Sequence, residues 1–262
     1  KPEALEEAIL KDISLGFVPL CIIATIGTTG STAIDPLKAI AKITSKYHVW
    51  LHVDAALAGT ALVLPEYQWM IEGINKADSF VFNPHKWMFT NFDCSAYFVK
   101  DKETLIRTFE ILPEYLKTRT RGAVNDYRDW GIALGRRFRA LKLWFVIRDY
   151  GVKGIQEKIR HHISLAKNLA GQIESEEDFE LMAPVPLNTV CFRFHPKKVE
   201  NLNAVNENLL DALNKTGKLY LTHTKVNGQY TLRMVTSQTD VEEEHVGKAW
   251  ELIKELARKK TK

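Results

Sequence analysis

One lysine stands where its amine could take part in covalent chemistry. Lys86 lies between the apolar stretch that ends at Phe82 and the side chain of Trp87. Apolar neighbours remove water from an amine and favour its neutral form, which is the nucleophile in Schiff-base chemistry. We therefore expect Lys86 to be partly desolvated. The alternative is a solvated lysine in a surface turn, which is the common state of lysines.

One aspartate could serve the same chemistry. Asp54 follows the apolar segment that ends at Val53 and precedes two alanines. A carboxylate in such a place is costly unless a cation or several hydrogen-bond donors accompany it. A protonated pyridine nitrogen would be such a partner, and the carboxylate would keep it protonated so that the ring acts as an electron sink. A helix cap or a salt bridge is the alternative role for Asp54.

Histidines near these residues add proton-transfer capacity. His85 is adjacent to Lys86, and its imidazole could stack, donate a hydrogen bond or transfer a proton near neutral pH. A structural histidine with satisfied hydrogen bonds is an equal alternative. His48 and His52 are typical of ordinary strand surroundings. The sequence indicates no metal site.

The first hundred residues alternate between strand and helix patterns. They predict helices over 3–15 and 36–47 and strands over 18–26, 49–53, 77–82 and 94–99. Asp35 should cap the second helix, because proline follows it at the first helical position. The link before the last strand is short for a parallel crossover, so that strand should run antiparallel.

This alternation predicts an α/β sheet that is mostly parallel. In such sheets, ligands bind beyond the carboxyl ends of the strands. Thr28-Thr29, Asp54 and His85-Lys86 all follow predicted strands. We therefore expect these three groups to converge at one edge of the sheet.

The second half of the chain predicts a smaller α+β domain. Its pattern predicts helices over 126–149, 152–175 and 202–215 and strands over 179–183, 189–195, 218–226 and 229–235. Asn227-Gly228 is a strong signal for a two-residue hairpin between the last two strands. A final helix should bury Val246, Trp250, Ile253 and Ala257 on one face. We place the domains at 1–141 and 142–262.

The composition is that of an ordinary globular protein. The chain has 262 residues, of which 45% are hydrophobic, enough to bury a sizeable core. No stretch approaches the roughly 20 apolar residues of a membrane span, and residues 1–20 lack the layout of a signal peptide. Cys21, Cys94 and Cys191 have no metal-ligand spacing and favour a reducing compartment. We expect a cytoplasmic protein without membrane contact.

Basic residues are concentrated in one segment, although the net charge is only +4. The cluster of Arg136, Arg137, Arg139 and Lys142 could bind phosphate or nucleic acid. Apolar residues interleave with this cluster at helical spacing, which favours an amphipathic helix with a basic face. The apolar residues are Leu134, Phe138, Leu141 and Phe145. We therefore expect no nucleic acid partner.

Several motifs taken together resemble the group II pyridoxal-phosphate decarboxylases. The motifs are Gly27-Thr28-Thr29, His52-Val53-Asp54-Ala55-Ala56 and Asn83-Pro84-His85-Lys86-Trp87. Two more resemble the aromatic-L-amino-acid decarboxylase branch: Asn91-Phe92-Asp93-Cys94-Ser95 and Leu134-Gly135-Arg136-Arg137-Phe138-Arg139. Any one motif alone would be weak, but their order and spacing are highly specific. The similarity runs through essentially the whole chain.

The resemblance implies a fold and a cofactor. The fold would be the C-terminal part of a large domain of the pyridoxal-phosphate-dependent transferase type, fold type I, followed by the small domain. The cofactor would be pyridoxal 5′-phosphate, held covalently by Lys86. Asp54 would pair with its pyridine nitrogen, Ala56 would lie against its ring, and Thr29 would lie near the ring's polar substituents. Asn83 and His85 would belong to the surroundings of the cofactor's phosphate and of its bond to Lys86.

The resemblance also implies an activity, the decarboxylation of an aromatic L-amino acid to its amine. The catalytic residues would be Lys86, His85 and Tyr115, a mobile-loop tyrosine that would protonate the substrate's α-carbon after carbon dioxide leaves. Phe92 would line the substrate side. Gly135 would reach the cofactor phosphate of a neighbouring subunit, which implies a homodimer with shared active sites.

Other functions stay open at this point. An aromatic aldehyde synthase is the nearest alternative, although that branch typically has phenylalanine where this chain has Tyr115. A group II decarboxylase for another amino acid is the second. Because family members extend well before the position of Lys1, a non-catalytic fragment is the third. We expect these residues alone not to form a competent catalyst.

Overall fold

Two four-stranded sheets organise the chain in a computed structural model that describes residues 1–110, 124–197 and 199–259. The helices are α1 (Pro2–Ser14), α2 (Leu37–Tyr47), α3 (Pro84–Trp87), α4 (Lys102–Phe109), α5 (Arg139–Glu174), α6 (Leu202–Lys215) and α7 (Glu243–Lys259). The strands are β1 (Cys21–Thr25), β2 (Trp50–Asp54), β3 (Ser79–Phe82), β4 (Ala96–Val99), β5 (Phe179–Leu181), β6 (Thr189–Phe194), β7 (Thr222–Val226) and β8 (Gln229–Val235). Short 3-10 helices include Ala58–Val63, Pro65–Ile71, Ile74–Lys76 and Tyr127–Trp130.

The first sheet has the predicted mostly parallel arrangement. Its order is β1-β2-β3-β4, and β1, β2 and β3 are parallel neighbours. β4 runs antiparallel beside β3, as predicted, because the short link between them contains only one helical turn. The predicted α/β sheet is therefore confirmed.

The start of α2 differs from the prediction. The helix begins at Leu37, and no side-chain hydrogen bond caps it. Asp35 Oδ2 instead accepts a hydrogen bond from the backbone N–H of Thr25 at 2.7 Å, and the backbone N–H of Asp35 donates to Thr25 O at 3.0 Å. Asp35 thus ties the end of β1 to the chain that enters α2, and the predicted N-cap is wrong.

The described residues cover only one face of the first sheet. On that face Ala24, Leu51 and Val53 are fully buried in one cluster with residues of α2, α5 and the first 3-10 helix. Alternate residues point to the other face, where Ile23 is 63% and Tyr97 49% exposed. Parallel strands are normally covered on both faces. The exposed side is named here the open face.

The second sheet forms the smaller α+β unit. Its strands are all antiparallel in the order β5-β6-β8-β7. Asn227 and Gly228 adopt φ values of 52° and 78° between β7 and β8, which confirms the predicted hairpin turn. The ring of Trp250 on α7 lies edge-on to Phe179 and Phe192, at centroid distances of 4.8 and 5.9 Å. All four residues predicted for the inner face of α7 are buried.

The helix α5 links the two units and corrects one prediction. Residues 131–138 are not helical, and both Leu134 and Phe138 are exposed, so the amphipathic helix predicted there begins only at Arg139. Gly151 breaks the helix with φ 63° and ψ 174°, close to the predicted gap between two helices. Among the described helices, none has the length and apolar composition to cross a membrane.

Both hydrophobic cores receive residues from α5. Its middle contributes Ile155 and Ile159 to the core under the first sheet, and its end contributes Leu169 and Ile173 to the core of the second. The part of α5 that follows Gly151 therefore spans the join between the two units. The domain boundary at residue 142 stays a prediction.

The close contact between Gly59 and Phe82 allows the packing of the core under the first sheet to be tested. A Cβ at Gly59 would lie 2.3 Å from Cβ of Phe82, so Gly59→Ala must displace the strand that leads to Lys86. We expect a loss of about 1–3 kcal/mol in the free energy of unfolding, measured in urea. Gly171→Ala on α5 is the matched control, because its Cβ meets open space and should stabilise by up to about 1 kcal/mol. Equal stabilities for the two variants would contradict this packing.

Candidate functional site

The carboxyl ends of the parallel strands are joined by backbone hydrogen bonds beyond the strands themselves. Asp54 pairs in register with Thr25 on β1 and Val81 on β3. One step further, the backbone N–H of Asn83 donates to Ala56 O at 3.0 Å. The aspartate motif and the lysine motif are therefore directly linked, and the predicted convergence at one edge is confirmed for these two segments.

Asp54 lies on the open face, opposite in direction to the buried Val53. Its side chain is half-buried, and Oδ1 accepts a hydrogen bond from the backbone N–H of Ala56 at 2.9 Å. Among the described residues, no cation forms an ion pair with this carboxylate. A half-buried carboxylate held in this way is suited to a cationic ligand. Ala56, also half-buried, leaves room beside it.

Lys86 is exposed on the one-turn helix α3. The next residue, Trp87, is fully buried, and its indole N–H donates to Nδ1 of His162 at 3.0 Å. The indole thus fixes the turn from the core side while the lysine faces outward. The expected desolvation of Lys86 is therefore wrong for the described part of the chain, because the residue is exposed there.

A loop before β4 holds the residues next to Lys86. Nδ1 of His85 lies 2.9 Å from the backbone N and 2.7 Å from the backbone O of Cys94, and its ring meets Phe92 edge-on at 4.9 Å. The hydroxyl of Ser95 donates to Oδ1 of Asn83 at 2.6 Å. Phe92 is 83% exposed. The structure thus brings together three of the predicted site residues, Asn83, His85 and Phe92.

An ion pair connects this loop to the start of α5. Nη2 and Nε of Arg139 lie 2.8 and 2.9 Å from Oδ2 of Asp93. The hydrogen bond from Arg139 lowers the pKa of the Asp93 carboxyl below its usual value. Nη1 of Arg137 also lies 3.7 Å from Oδ1 of Asp93. Two members of the basic cluster are therefore committed to intramolecular contacts.

The loop after β1 reaches the same edge. Gly27 has φ +78°, and a Cβ there would lie 2.6 Å from Cβ of Ala58, so only glycine allows this close approach. Thr29, the predicted cofactor neighbour, is exposed in this loop. The loop after β1 therefore packs directly against the segment that follows Asp54.

His52 also lies on the open face, and sequence reasoning had assigned it only to strand surroundings. Its Nδ1 is 2.8 Å from Oγ of Ser79, which accepts the indole N–H of Trp50 at 3.0 Å. Burial lowers the pKa of His52, and the charge of Asp54 opposes this shift. The signal was present in the sequence, since a spacing of two residues on a strand places both side chains on one face.

Two predicted site residues remain, Tyr115 and Gly135. Tyr115 lies outside the described residues. Gly135 is exposed in the segment before α5, and a Cβ there would meet nothing within 4 Å. Its contact with a neighbouring subunit stays a prediction. Within the described ranges, no cluster of three or more metal-ligating side chains is present.

A family model and the curated relatives of this chain indicate the same protein family. A family model described as "Pyridoxal-dependent decarboxylase conserved domain" matches residues 1–195. Phenylacetaldehyde synthase from Arabidopsis thaliana is 46% identical over 98% of this chain and 53% of its own length. Tyrosine decarboxylase 2 from Narcissus pseudonarcissus is 44% identical over 98% of this chain and 52% of its own. The chain therefore spans about half the length of the curated relatives it matches.

A solved structure shows the same architecture. The crystal structure of Oryza sativa TDC with PLP and tryptamine aligns with a TM-score of 0.96 and 39% sequence identity. The alignment covers 100% of this chain and 55% of that one. The arrangement of the two sheets described above is therefore that of this solved protein.

The hydrogen bond from Trp87 to His162, next to the turn of Lys86, predicts that the free energy of unfolding depends on pH. Burial, followed by the charges of His161 and Lys158, lowers the pKa of His162 to about 4. The unfolded chain, with a histidine pKa of about 6.5, therefore binds this proton more readily than the folded protein. The contribution of neutral His162 to the free energy of unfolding is fully present above pH 6.5 and is lost as the pH falls towards 4. We expect a loss of up to about 3 kcal/mol from this group.

Comparison of unfolding in urea at pH 7 and pH 4.5 checks this expectation. His162→Gln retains a hydrogen-bond acceptor for Trp87 but does not titrate. Its free energy of unfolding should therefore fall less than that of the parent over this interval. Equal losses in the two proteins would show that His162 does not carry the effect.

Proposed function

Because the chain belongs to the pyridoxal-dependent decarboxylase family, we propose that it supplies the lysine-bearing part of an active site that decarboxylates an aromatic L-amino acid. The cofactor in this proposal is pyridoxal 5′-phosphate. One observation carries it: parallel strands β2 and β3 place Asp54 and the turn of Lys86 at one sheet edge, joined by the Asn83–Ala56 hydrogen bond. The protein would thus be a lyase.

The residues at this edge fit the cofactor. Asp54 offers a half-buried carboxylate with no cationic partner among the described residues, which suits a protonated ring nitrogen. Lys86 offers an exposed amine for the aldehyde carbon. Thr29 offers a hydroxyl for a polar substituent, and Asn83 and His85 offer hydrogen-bonding groups next to the lysine. These groups have the chemistry that each part of the cofactor requires.

The chain's own residues would orient and protect the reacting atoms. Asp54 would hold a proton on the ring nitrogen, and its orientation is fixed by the N–H of Ala56. Lys86 would hold the cofactor covalently through Nζ. When bound, the cofactor supplies a conjugated ring that takes up the electrons of the broken carbon–carbon bond. Phe92 would line the substrate side, with His85 fixed against its ring.

Tyr115 decides between two activities in this proposal. As a general acid it would return a proton to the α-carbon, so that the product is the amine. Relatives named as decarboxylases and as aldehyde synthases match the chain to a similar extent. An aldehyde synthase, which uses oxygen, is therefore the second candidate. Tyrosine at position 115, where that branch typically has phenylalanine, favours decarboxylation.

The open face supports a site completed by other polypeptide. Ile23 and Tyr97 are exposed on the same face as Asp54, although parallel sheets are normally covered on both faces. We propose that a further part of the protein covers this face and desolvates Lys86. A homodimer with shared sites, in which Gly135 reaches the cofactor phosphate of the second subunit, belongs to the same proposal. Free Cys21, Cys94 and Cys191 suit its placement in the cytoplasm.

Covalent trapping tests the assignment of Lys86. Reduction of the intact, cofactor-loaded protein with borohydride should leave a pyridoxyl group on Lys86, found by peptide mass spectrometry. Lys86→Arg keeps a positive charge but cannot form the bond, so the modified peptide and turnover should both be lost. Lys100→Arg, at an exposed strand end, is the control and should label like the parent. A pyridoxyl group on another lysine in the parent would refute the assignment.

Product analysis tests the choice between the two activities. With tyrosine, tryptophan or DOPA as substrate, we expect the amine and no hydrogen peroxide from the parent. Tyr115→Phe removes the proton donor and should produce aldehyde and peroxide at the expense of the amine. Peroxide formed by the parent in amounts equal to carbon dioxide would favour the aldehyde synthase.

A further inference from the structure

The small sheet holds the loop after β1 through one arginine. Nε of Arg233, on β8, donates to Gly30 O at 2.7 Å, and its Nη2 donates to Thr29 O at 2.6 Å. Its Nη1 donates to Oγ1 of Thr222, its register partner on β7, at 2.9 Å. The half-buried guanidinium thus connects a strand of the small unit to two consecutive carbonyls of the loop that carries Thr29.

The base of this loop is closed by its own hydrogen bonds. The backbone N–H groups of Gly27 and Thr28 both donate to Ala33 O at 3.0 Å. Oγ1 of Thr28 in turn accepts the N–H of Ala33 at 3.1 Å. These bonds do not use the carbonyls of Thr29 and Gly30 at the tip of the loop. Those two carbonyls accept hydrogen bonds from outside the loop.

The tip also packs against the neighbouring strands of the small sheet. The thiol of Cys191, the register partner of Arg233 on β6, lies 3.3 Å from Gly30 O. A Cβ at Gly30 would lie 3.3 Å from Oγ1 of Thr224 on β7. The loop tip therefore rests across β6, β8 and β7, with Arg233 at the centre of the contact.

The geometry depends on the shape of a guanidinium. Adjacent N–H groups of arginine point in fixed directions and can bind two acceptors at once, whereas a lysine ammonium is a compact charge on a flexible stem. Among the ion pairs between described residues, none includes Arg233. Its donors are instead used for the loop carbonyls and Thr222. Contacts that only join two domains do not require two consecutive carbonyls of one loop as acceptors. The two acceptors of Arg233 therefore indicate a specific contact with this loop.

We propose that Arg233 is a positioning residue that fixes the Thr28-Thr29 loop at the cofactor edge from the small domain. It acts through the backbone of Thr29 and Gly30 and does not itself contact the reacting atoms. Any displacement of the small sheet relative to the first sheet then moves Thr29. The effect of Arg233 on cofactor binding rests on the proposed function. Its effect on the position of the loop rests only on the observed hydrogen bonds.

Two variants separate the hydrogen bonds of Arg233 to the loop from its hydrogen bond to Thr222. Arg233→Lys keeps the charge and most of the stem but loses the paired donation to Thr29 O and Gly30 O. Thr222→Val is the matched control, because it removes only the acceptor of Nη1 and preserves the β-branched shape. Both are made in the intact protein, with circular dichroism as the check on folding.

Hydrogen exchange is the first readout, measured on the apoprotein. In Arg233→Lys, the amides of residues 27–33 should exchange at least about tenfold faster, because charge-assisted hydrogen bonds that hold the loop are lost. Amides of α7 and β6 should keep their parental protection, which separates release of the loop from unfolding. Thr222→Val should leave residues 27–33 within about threefold of the parent. Parental protection of the loop in Arg233→Lys would overturn the proposal.

Cofactor affinity is the second readout. The dissociation constant for pyridoxal 5′-phosphate should rise about tenfold or more in Arg233→Lys and less than about threefold in Thr222→Val. Faster loop exchange with unchanged affinity would overturn the role of Arg233 at the cofactor edge. A parent protein that binds no pyridoxal phosphate would refute the proposed function, while the exchange measurement would still decide whether Arg233 holds the loop.

Discussion

The hydrogen-bonded alignment of β2 with β3 is the constraint on which the site depends. Parallel strands end at the same edge of a sheet, and here the pairing continues past the last strand residues to the bond between Asn83 and Ala56. That continuation sets where the chain turns after Asp54 and where α3 begins. A carboxylate on one strand and an amine on the next turn are thereby held in a fixed relation, although 31 intervening residues separate them in the chain.

The surroundings of this edge reinforce the same relation. Trp87 anchors the turn of Lys86 to His162 on α5, and Arg139 at the start of α5 anchors the loop that contacts His85. The small sheet holds the loop of Thr29 through Arg233. The site therefore draws on both units of the chain, and α5, which packs in both cores, keeps those units together.

Much of this could be predicted from sequence, because strand ends and turn signals are local patterns. The convergence of Asp54 with the Lys86 turn, the antiparallel β4 and the hairpin at Asn227 all followed from such patterns. The contact of Arg233 with Thr29 could not, because no local pattern links residues 204 positions apart. The exposure of Lys86 was also missed, because apolar sequence neighbours do not reveal which side of a turn faces the core.

A crystal structure of the intact protein with pyridoxal 5′-phosphate would test the central claim most directly. The account predicts a covalent bond from Nζ of Lys86 to the cofactor and a carboxylate oxygen of Asp54 within about 2.7–2.9 Å of the ring nitrogen. A cofactor joined to another residue, or a ring nitrogen beyond hydrogen-bond reach of Asp54, would contradict it.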